Sequence, residues 1–171
     1  MKSKRKNIIK IAIDSPAAAG AGTISKAISN HYNLLYLDTG KIYRFIAFLK
    51  INHSKKFNVS FIRKKIKKLS IRDLENPKLI SDKVGLEASL IAKEKKIRKL
   101  VHKYQTNCAY HPPYKYNGSC LDGRDITYKI IPDADFKFFI TANIKTRARR
   151  RFKELKKLKK GVRYDSILKS I

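Results

Sequence analysis

The sequence predicts an α/β fold, with a parallel sheet flanked by helices. Short apolar segments alternate with amphipathic helical patterns along the chain, as they do where helices connect parallel strands. A turn of small residues separates the first apolar segment from the first helical pattern. With 171 residues and 43% hydrophobic content, the chain can bury one sizeable core, so a single domain is expected.

The first 37 residues contain two predicted strands and the helix between them. Residues 8–13 are rich in isoleucine, which indicates a central strand. Residues 23–32 repeat apolar side chains at helical spacing, so one helix face should pack on the sheet. Residues 34–37 are the second predicted strand.

The middle of the chain is predicted to be mostly helical. Residues 60–69 and 84–104 are basic, and they space their apolar positions as helices with one packed face do. Residues 107–117 contain a His-Pro-Pro sequence and are predicted to form a surface loop. Two further short strands are predicted at residues 119–122 and 136–140.

Positive charge dominates the composition. The chain has 41 Lys and Arg residues against 13 Asp and Glu, a net charge of +28, and residues 145–160 form a strongly basic predicted helix. Such a charge attracts polyanions, including nucleic acid, nucleotides and acidic membranes. A general enrichment in lysine would give the same surface, so charge alone does not identify a partner.

The N-terminus imitates a secretory signal. A basic start precedes an apolar stretch and several small residues, but Lys10 and Asp14 interrupt the apolar run before it reaches the roughly 7 to 15 residues of a signal core. Nothing approaches the ~20 apolar residues of a membrane span. A cytoplasmic protein is therefore expected, with Cys108 and Cys120 as reduced thiols.

Residues 14–23 read D-S-P-A-A-A-G-A-G-T and lie between a predicted strand and a helix. This is the context of a phosphate-binding P-loop, in which backbone N–H groups and the helix N-terminus face the phosphates. Against the pattern G-x-x-x-x-G-K, Ser15 stands at the first glycine and Ala21 at the lysine. Taken alone, the motif also fits a turn that merely packs the helix on the strand.

Three further segments follow this loop in order: L-Y-L-D-T-G-K-I-Y-R at 35–44, L-D-G-R-D-I at 121–126, and I-P-D-A-D-F-K-F-F-I-T-A at 131–142. From about residue 8 to residue 168, the chain resembles bacterial cytidylate kinases, which belong to the nucleoside monophosphate kinase group of P-loop proteins. The resemblance implies transfer of the γ-phosphoryl group of ATP to CMP or dCMP with Mg2+. It also implies a core at about 7–50 and 117–160 and a nucleotide-binding insertion at about 51–116. A monomer is expected.

The resemblance assigns a role to each matched position. The ATP phosphates would be bound by the loop Ser15, Pro16, Ala17, Ala18, Ala19, Gly20, Ala21, Gly22 and Thr23. The acceptor nucleotide would be bound by Thr39, Arg44, Ser89, Arg98, Asp122 and Arg124. Within these sets, Ser89 and Arg98 match residues that contact cytosine in the family. Arg44 and Arg124 match residues that bind the acceptor phosphate. Asp122 and Thr23 are implied near the metal, Asp122 through water. The implied catalytic residues are Arg44, Arg124 and Asp125.

Three departures from the family pattern bear on activity. Ala21 stands in place of the lysine that gives the loop its positive charge. Thr127-Tyr128 stand where the family sequence continues with Gly-Thr. The sequence reaches residue 171 near where relatives begin an arginine-bearing lid and then a last strand, so both are expected to be absent. The alternatives are a nucleotide-binding remnant without turnover, or a basic protein on the same scaffold that binds nucleic acid by non-specific electrostatic contacts. A lysine or arginine from the basic helix at residues 145–160 is a further candidate to compensate for these departures.

Ser89 and Arg98 impose a geometric condition. They are nine residues apart, and at ~100° per residue they would lie on opposite faces of one straight helix. We therefore predict a turn within residues 92–96, although this stretch contains good helix formers and no Gly or Pro.

Overall fold

The computed structural model describes residues 7–158 and 161–171. Its sheet has four parallel strands in the order β2-β3-β1-β4. The strands are β1 (Ile9–Asp14), β2 (Leu34–Asp38), β3 (Gly118–Gly123) and β4 (Phe136–Phe139). The predicted α/β fold is confirmed, and β1 is a central strand as expected.

Seven α-helices lie within the described residues. They are α1 (Ala21–Tyr32), α2 (Thr39–Asn52), α3 (Val59–Lys67), α4 (Asp82–Ile91), α5 (Lys95–Tyr110), α6 (Ile144–Leu158) and α7 (Tyr164–Ser170). Helices and turns fill the chain from α2 to α5. The division into a core and a nucleotide-binding insertion stays a prediction.

Helix caps explain where several of these helices begin. The side chains of Asp38, Asn58 and Ser81 accept hydrogen bonds from backbone N–H groups three residues ahead, at the starts of α2, α3 and α4. At the other end of α1, Asn33 adopts the left-handed conformation, so the chain turns directly into β2.

The helices cover both faces of the sheet. Alternate residues of β1 point to opposite sides: Ala12 joins the large core formed with α2 to α5, while Ile11 and Ile13 join a smaller cluster against α1. A third cluster joins α6 to α7 through Ala148, Leu155 and Ile167. Cys108 and Cys120 are buried free thiols, as expected. None of the helices in the described residues is long and apolar enough to cross a membrane.

Three features differ from the sequence-based expectations. The predicted loop at 107–117 is wrong in its first four residues, because Cys108 and Ala109 are buried in the core and α5 continues to Tyr110. Helices α2 and α7 were not predicted. The basic helix begins one residue earlier than expected, and residues 159 and 160 of its predicted span lie outside the described residues.

Candidate active site

The loop between β1 and α1 makes a tight backbone turn. Gly20 has a φ of 100°, and Ala18 has a φ of 60°, a left-handed conformation that costs alanine more than glycine. The N–H of Ser15 donates to the carbonyl of Gly123, which ties the loop to β3. Thr23, whose hydroxyl is implied near the metal, is exposed in the first turn of α1.

Two carboxylates meet beside this loop. Asp38 and Asp122 are paired in register at the ends of β2 and β3. A Cβ atom on Gly22 would lie 3.5 Å from Asp122 Oδ2, so the start of α1 packs directly against this carboxylate. The Tyr36 hydroxyl donates to Asp122 Oδ2 at 3.1 Å, and Thr39 Oγ1 donates to the Asp122 carbonyl at 2.7 Å.

This arrangement shifts the acidity of both carboxyl groups. Burial and the neighbouring Asp38 charge raise the pKa of Asp122 to about 7, and burial also raises the pKa of Asp38. A divalent cation would offset the repulsion between the two carboxylates. Among the described residues there is no cluster of three or more His, Cys, Asp or Glu side chains that could hold a metal. The Asp38 and Asp122 carboxylates are a donor set that fits Mg2+, which is commonly bound by one or two carboxylates, water and substrate phosphates.

Asp14 has a different role from these two carboxylates. Its side chain is buried and accepts hydrogen bonds from the backbone N–H groups of Ile126 and Thr127 and from the Thr127 hydroxyl. These bonds hold the π-helical turn Ile126–Ile130, which directly follows the G-R-D segment. The departure from the family pattern at Thr127 thus supplies a hydroxyl that joins β1 to this turn. Sequence reasoning noted Thr127 but did not predict its partner.

The two arginines expected on the acceptor phosphate lie in different surroundings. Arg44 is half-buried on α2, donates to the Leu79 carbonyl at 2.9 Å, and lies against Gly85 of α4. Burial, and then the charge of Arg151, lower the pKa of Arg44. Arg124 is exposed and lines a cavity of about 400 Å³ with the loop residues Ser15, Pro16 and Ala17 and with Arg147, Phe139, Ser170 and Ile171. Their convergence on one phosphate stays a prediction.

The predicted turn between Ser89 and Arg98 is confirmed. Helix α4 ends at Ile91 and α5 begins at Lys95. Ile91 and Ile97 are both buried in the large core, so tertiary packing overrides the helical propensity of the residues between them. Arg98 Nη1 donates to the Ala92 carbonyl at 3.2 Å, which stabilises the turn.

The same arginine forms an ion pair with the G-R-D segment. Arg98 Nη2 lies 2.6 Å from Asp125 Oδ2. The pair lines a cavity of about 240 Å³, together with Tyr43, Lys95, Lys99, His102, Gln105, Lys129 and Ile130. Ser89 is exposed and donates to the Gly85 carbonyl, one turn from the contact between Gly85 and Arg44. A single cleft shared by Ser89, Arg98, Arg44 and Asp122 stays a prediction.

Two arginine side chains of α6 form hydrogen bonds with the loop between β1 and α1. Arg147 Nε donates to the Ala17 carbonyl at 2.8 Å, and Arg150 Nη1 donates to the Ala19 carbonyl at 2.6 Å. These two arginines are three residues apart and lie on one face of the helix. The sequence indicated that this helix could supply a cation, and the structure brings two arginines to the loop.

Comparison with known proteins identifies the family of the chain. The family model described as cytidylate kinase matches residues 11–171. The chain belongs to the cytidylate kinase family. Among its relatives, the cytidylate kinase of Bartonella tribocorum is 42% identical over 168 residues, covering 94% of this chain and 74% of the relative. The cytidylate kinase of Mesorhizobium japonicum is 35% identical over 166 residues, covering 96% and 75%. That of Clostridium botulinum is 34% identical over 174 residues, covering 95% and 78%.

Membership in the cytidylate kinase family makes the chain an ATP-dependent nucleotide kinase of pyrimidine metabolism. The family match supports neither alternative considered from the sequence, the remnant without turnover or the nucleic-acid-binding protein. The high positive charge is thus compatible with an enzyme whose substrates are both polyanions.

Proposed function

We propose that the protein transfers the γ-phosphoryl group of ATP to CMP or dCMP, giving ADP and CDP or dCDP, with Mg2+ as the metal. The observation that carries this proposal is the Arg98 and Asp125 pair in a cavity adjoining the G-R-D turn. Cytosine presents an N4 amino donor beside ring acceptors, and the Asp125 carboxylate next to the Arg98 guanidinium offers the complementary acceptor and donors. This pair moves Asp125 from the catalytic role implied by the resemblance to the cytosine side.

The chemistry requires positioning and charge rather than a strong base. The attacking oxygen of the acceptor phosphate is already anionic, so the protein must bring two polyanions together and offset their charge. Arg44 and Arg124 suit the acceptor phosphate because a planar guanidinium binds two oxygens at once and stays protonated.

On the donor side, the backbone N–H groups of Gly20, Ala21 and Gly22 would bind the ATP phosphates at the start of α1, since those of Ala19 and Thr23 already donate to the carbonyls of Pro16 and Gly20. Asp122 and Thr23 would hold Mg2+, with Asp122 acting through water. A metal held there would supply positive charge to offset that of the ATP phosphates. Asp122 must be ionised for this role, although burial favours its neutral form.

A coupled kinase assay with ATP and each nucleoside monophosphate tests the proposal. We expect turnover with CMP and dCMP at a kcat/KM at least tenfold above those for UMP, AMP and GMP. Arg98→Ala should raise KM for CMP with little change in KM for ATP, while Lys103→Ala, at an exposed position on α5, serves as the matched control. Equal kcat/KM values for CMP and a purine monophosphate would contradict the proposal.

A further inference from the structure

Helix α6 places the guanidinium of Arg150 against Gly20, the residue before Ala21, where a P-loop carries its lysine. Besides its bond to the Ala19 carbonyl, Arg150 lies over Gly20: a Cβ atom added there would be 2.9 Å from Arg150 Nη1 and 3.5 Å from its Cζ. Gly20 is the N-cap of α1, and Ala21 is the first residue of that helix. Arg150 therefore reaches the end of the loop where a P-loop carries its lysine.

This position is electrostatically unusual for a cation. The N-terminus of a helix carries partial positive charge and unpaired N–H groups, which repel a guanidinium and attract an anion. The first turn of α1 contains no acidic residue. Within residues 7–158 and 161–171, no Asp or Glu forms an ion pair with Arg150. Since no carboxylate of the described residues pairs with Arg150, an anionic ligand is favoured between this guanidinium and the start of α1.

The loop itself cannot supply this charge. Ala21 is 5% exposed, and its methyl group cannot bind phosphate. Arg150 has five N–H donors, and the bond to Ala19 uses one of them. Arg147 is a weaker candidate, because it binds the carbonyls of Ala17 and Ile171 and so contacts the loop further from Ala21.

We propose that Arg150 takes the place of the P-loop lysine and contacts the β- and γ-phosphates of ATP during phosphoryl transfer. This inference rests on the proposed function, since it requires the ATP phosphates to occupy the loop. The φ of 100° favours glycine at residue 20, and the absence of a Cβ atom there leaves room for the guanidinium.

The experiment compares wild type with Arg150→Ala, Ala21→Lys and the double variant Ala21→Lys/Arg150→Ala. Arg149→Ala is the matched control, since it removes an exposed arginine from the same helix. We expect Arg150→Ala to lower kcat by about 10²-fold, the usual loss for one transition-state donor, and Arg149→Ala to change it less than threefold. The double variant should recover at least tenfold of the loss, because the introduced lysine restores a cation to the loop. Equal activities for Arg150→Ala and Arg149→Ala would overturn the inference.

Binding of a fluorescent ATP analogue separates this inference from the proposed function. If wild type turns over no CMP but Arg150→Ala weakens analogue binding at least tenfold more than Arg149→Ala does, Arg150 still serves the ATP phosphates and only the acceptor assignment fails. If Ala21→Lys lowers the melting temperature, Arg150→Lys and Arg150→Met replace it. The lysine variant should then keep at least ten times the activity of the methionine variant, and equal activities would contradict the role of charge.

Discussion

The two sides of the proposed active site obtain their positive charge in different ways. On the acceptor side, Arg44 and Arg98 belong to helices that form the pocket, and each is held by a nearby group, the Leu79 carbonyl and Asp125. On the donor side, the cation proposed to serve the loop is Arg150, which lies 131 residues after its partner Ala19. The local motif thus specifies the backbone of the loop, while the positive charge beside the loop depends on tertiary packing. Loss of the loop lysine therefore need not remove charge from the site.

The largest expected effect is a loss of activity toward CMP, with a much smaller change in ATP binding. Arg44→Ala or Arg124→Ala should lower kcat/KM for CMP by about 10²- to 10³-fold, because each removes a charged contact to the acceptor phosphate. The change in ATP affinity should be much smaller. Initial rates at varied CMP and varied ATP measure both effects, with the exposed Arg63→Ala as control. Equal losses for the two nucleotides would remove these arginines from the acceptor side.

Asp122→Asn tests the group that lies between the two sides. The pKa of Asp122 in the folded protein is about 7, above the ~3.9 of an unfolded aspartate, so the folded state binds this proton more tightly between those values. The free energy of unfolding of wild type should therefore fall as pH rises from about 4 to 7. Asparagine does not ionise, so the Asp122→Asn variant does not lose this stability as pH rises. It should melt at a higher temperature than wild type at pH 8.

The same variant should lose activity while gaining stability. Asparagine can still accept the Tyr36 hydroxyl, but it carries no charge for the metal, so we expect kcat to fall about 10²-fold at saturating Mg2+. Thermal melts from pH 5 to pH 8 and rate measurements at pH 8 check the two effects. A variant that is both less stable at pH 8 and fully active would contradict the roles assigned to Asp122.

The Asp14 and Thr127 contact should give a smaller effect, mainly on stability. Thr127→Val removes the hydroxyl donor to a buried carboxylate and should cost about 1.5 to 3 kcal/mol in the free energy of unfolding. Thr127→Ser keeps the donor and should cost less than half as much. Urea unfolding of both variants measures the difference. A larger loss for serine than for valine would mean that the methyl group of Thr127, which valine keeps, holds the turn rather than its hydroxyl.

Local patterns in the sequence were enough to predict the sheet, because its strands follow from short apolar runs. The turn before α5 was predicted from the family resemblance, since Ser89 and Arg98 cannot both face one pocket from a single straight helix. Helix α2 was missed even though Asp38 is a typical N-cap residue, since the segment was considered only as a motif. The bonds from Asp14 to Thr127 and from Arg150 to Ala19 span 113 and 131 residues. No local pattern indicates such partners, because tertiary packing decides which distant side chains meet.

The most direct test of a divided site compares Arg44→Ala with Arg150→Ala in one experiment. Equilibrium binding of CMP and of the fluorescent ATP analogue should be measured for both variants and for wild type. We predict opposite patterns: Arg44→Ala weakens CMP at least tenfold more than the ATP analogue, and Arg150→Ala weakens the ATP analogue at least tenfold more than CMP. If both variants weaken both nucleotides by the same factor, the two arginines do not serve separate sides of the site, and its division into an acceptor side and a donor side is wrong.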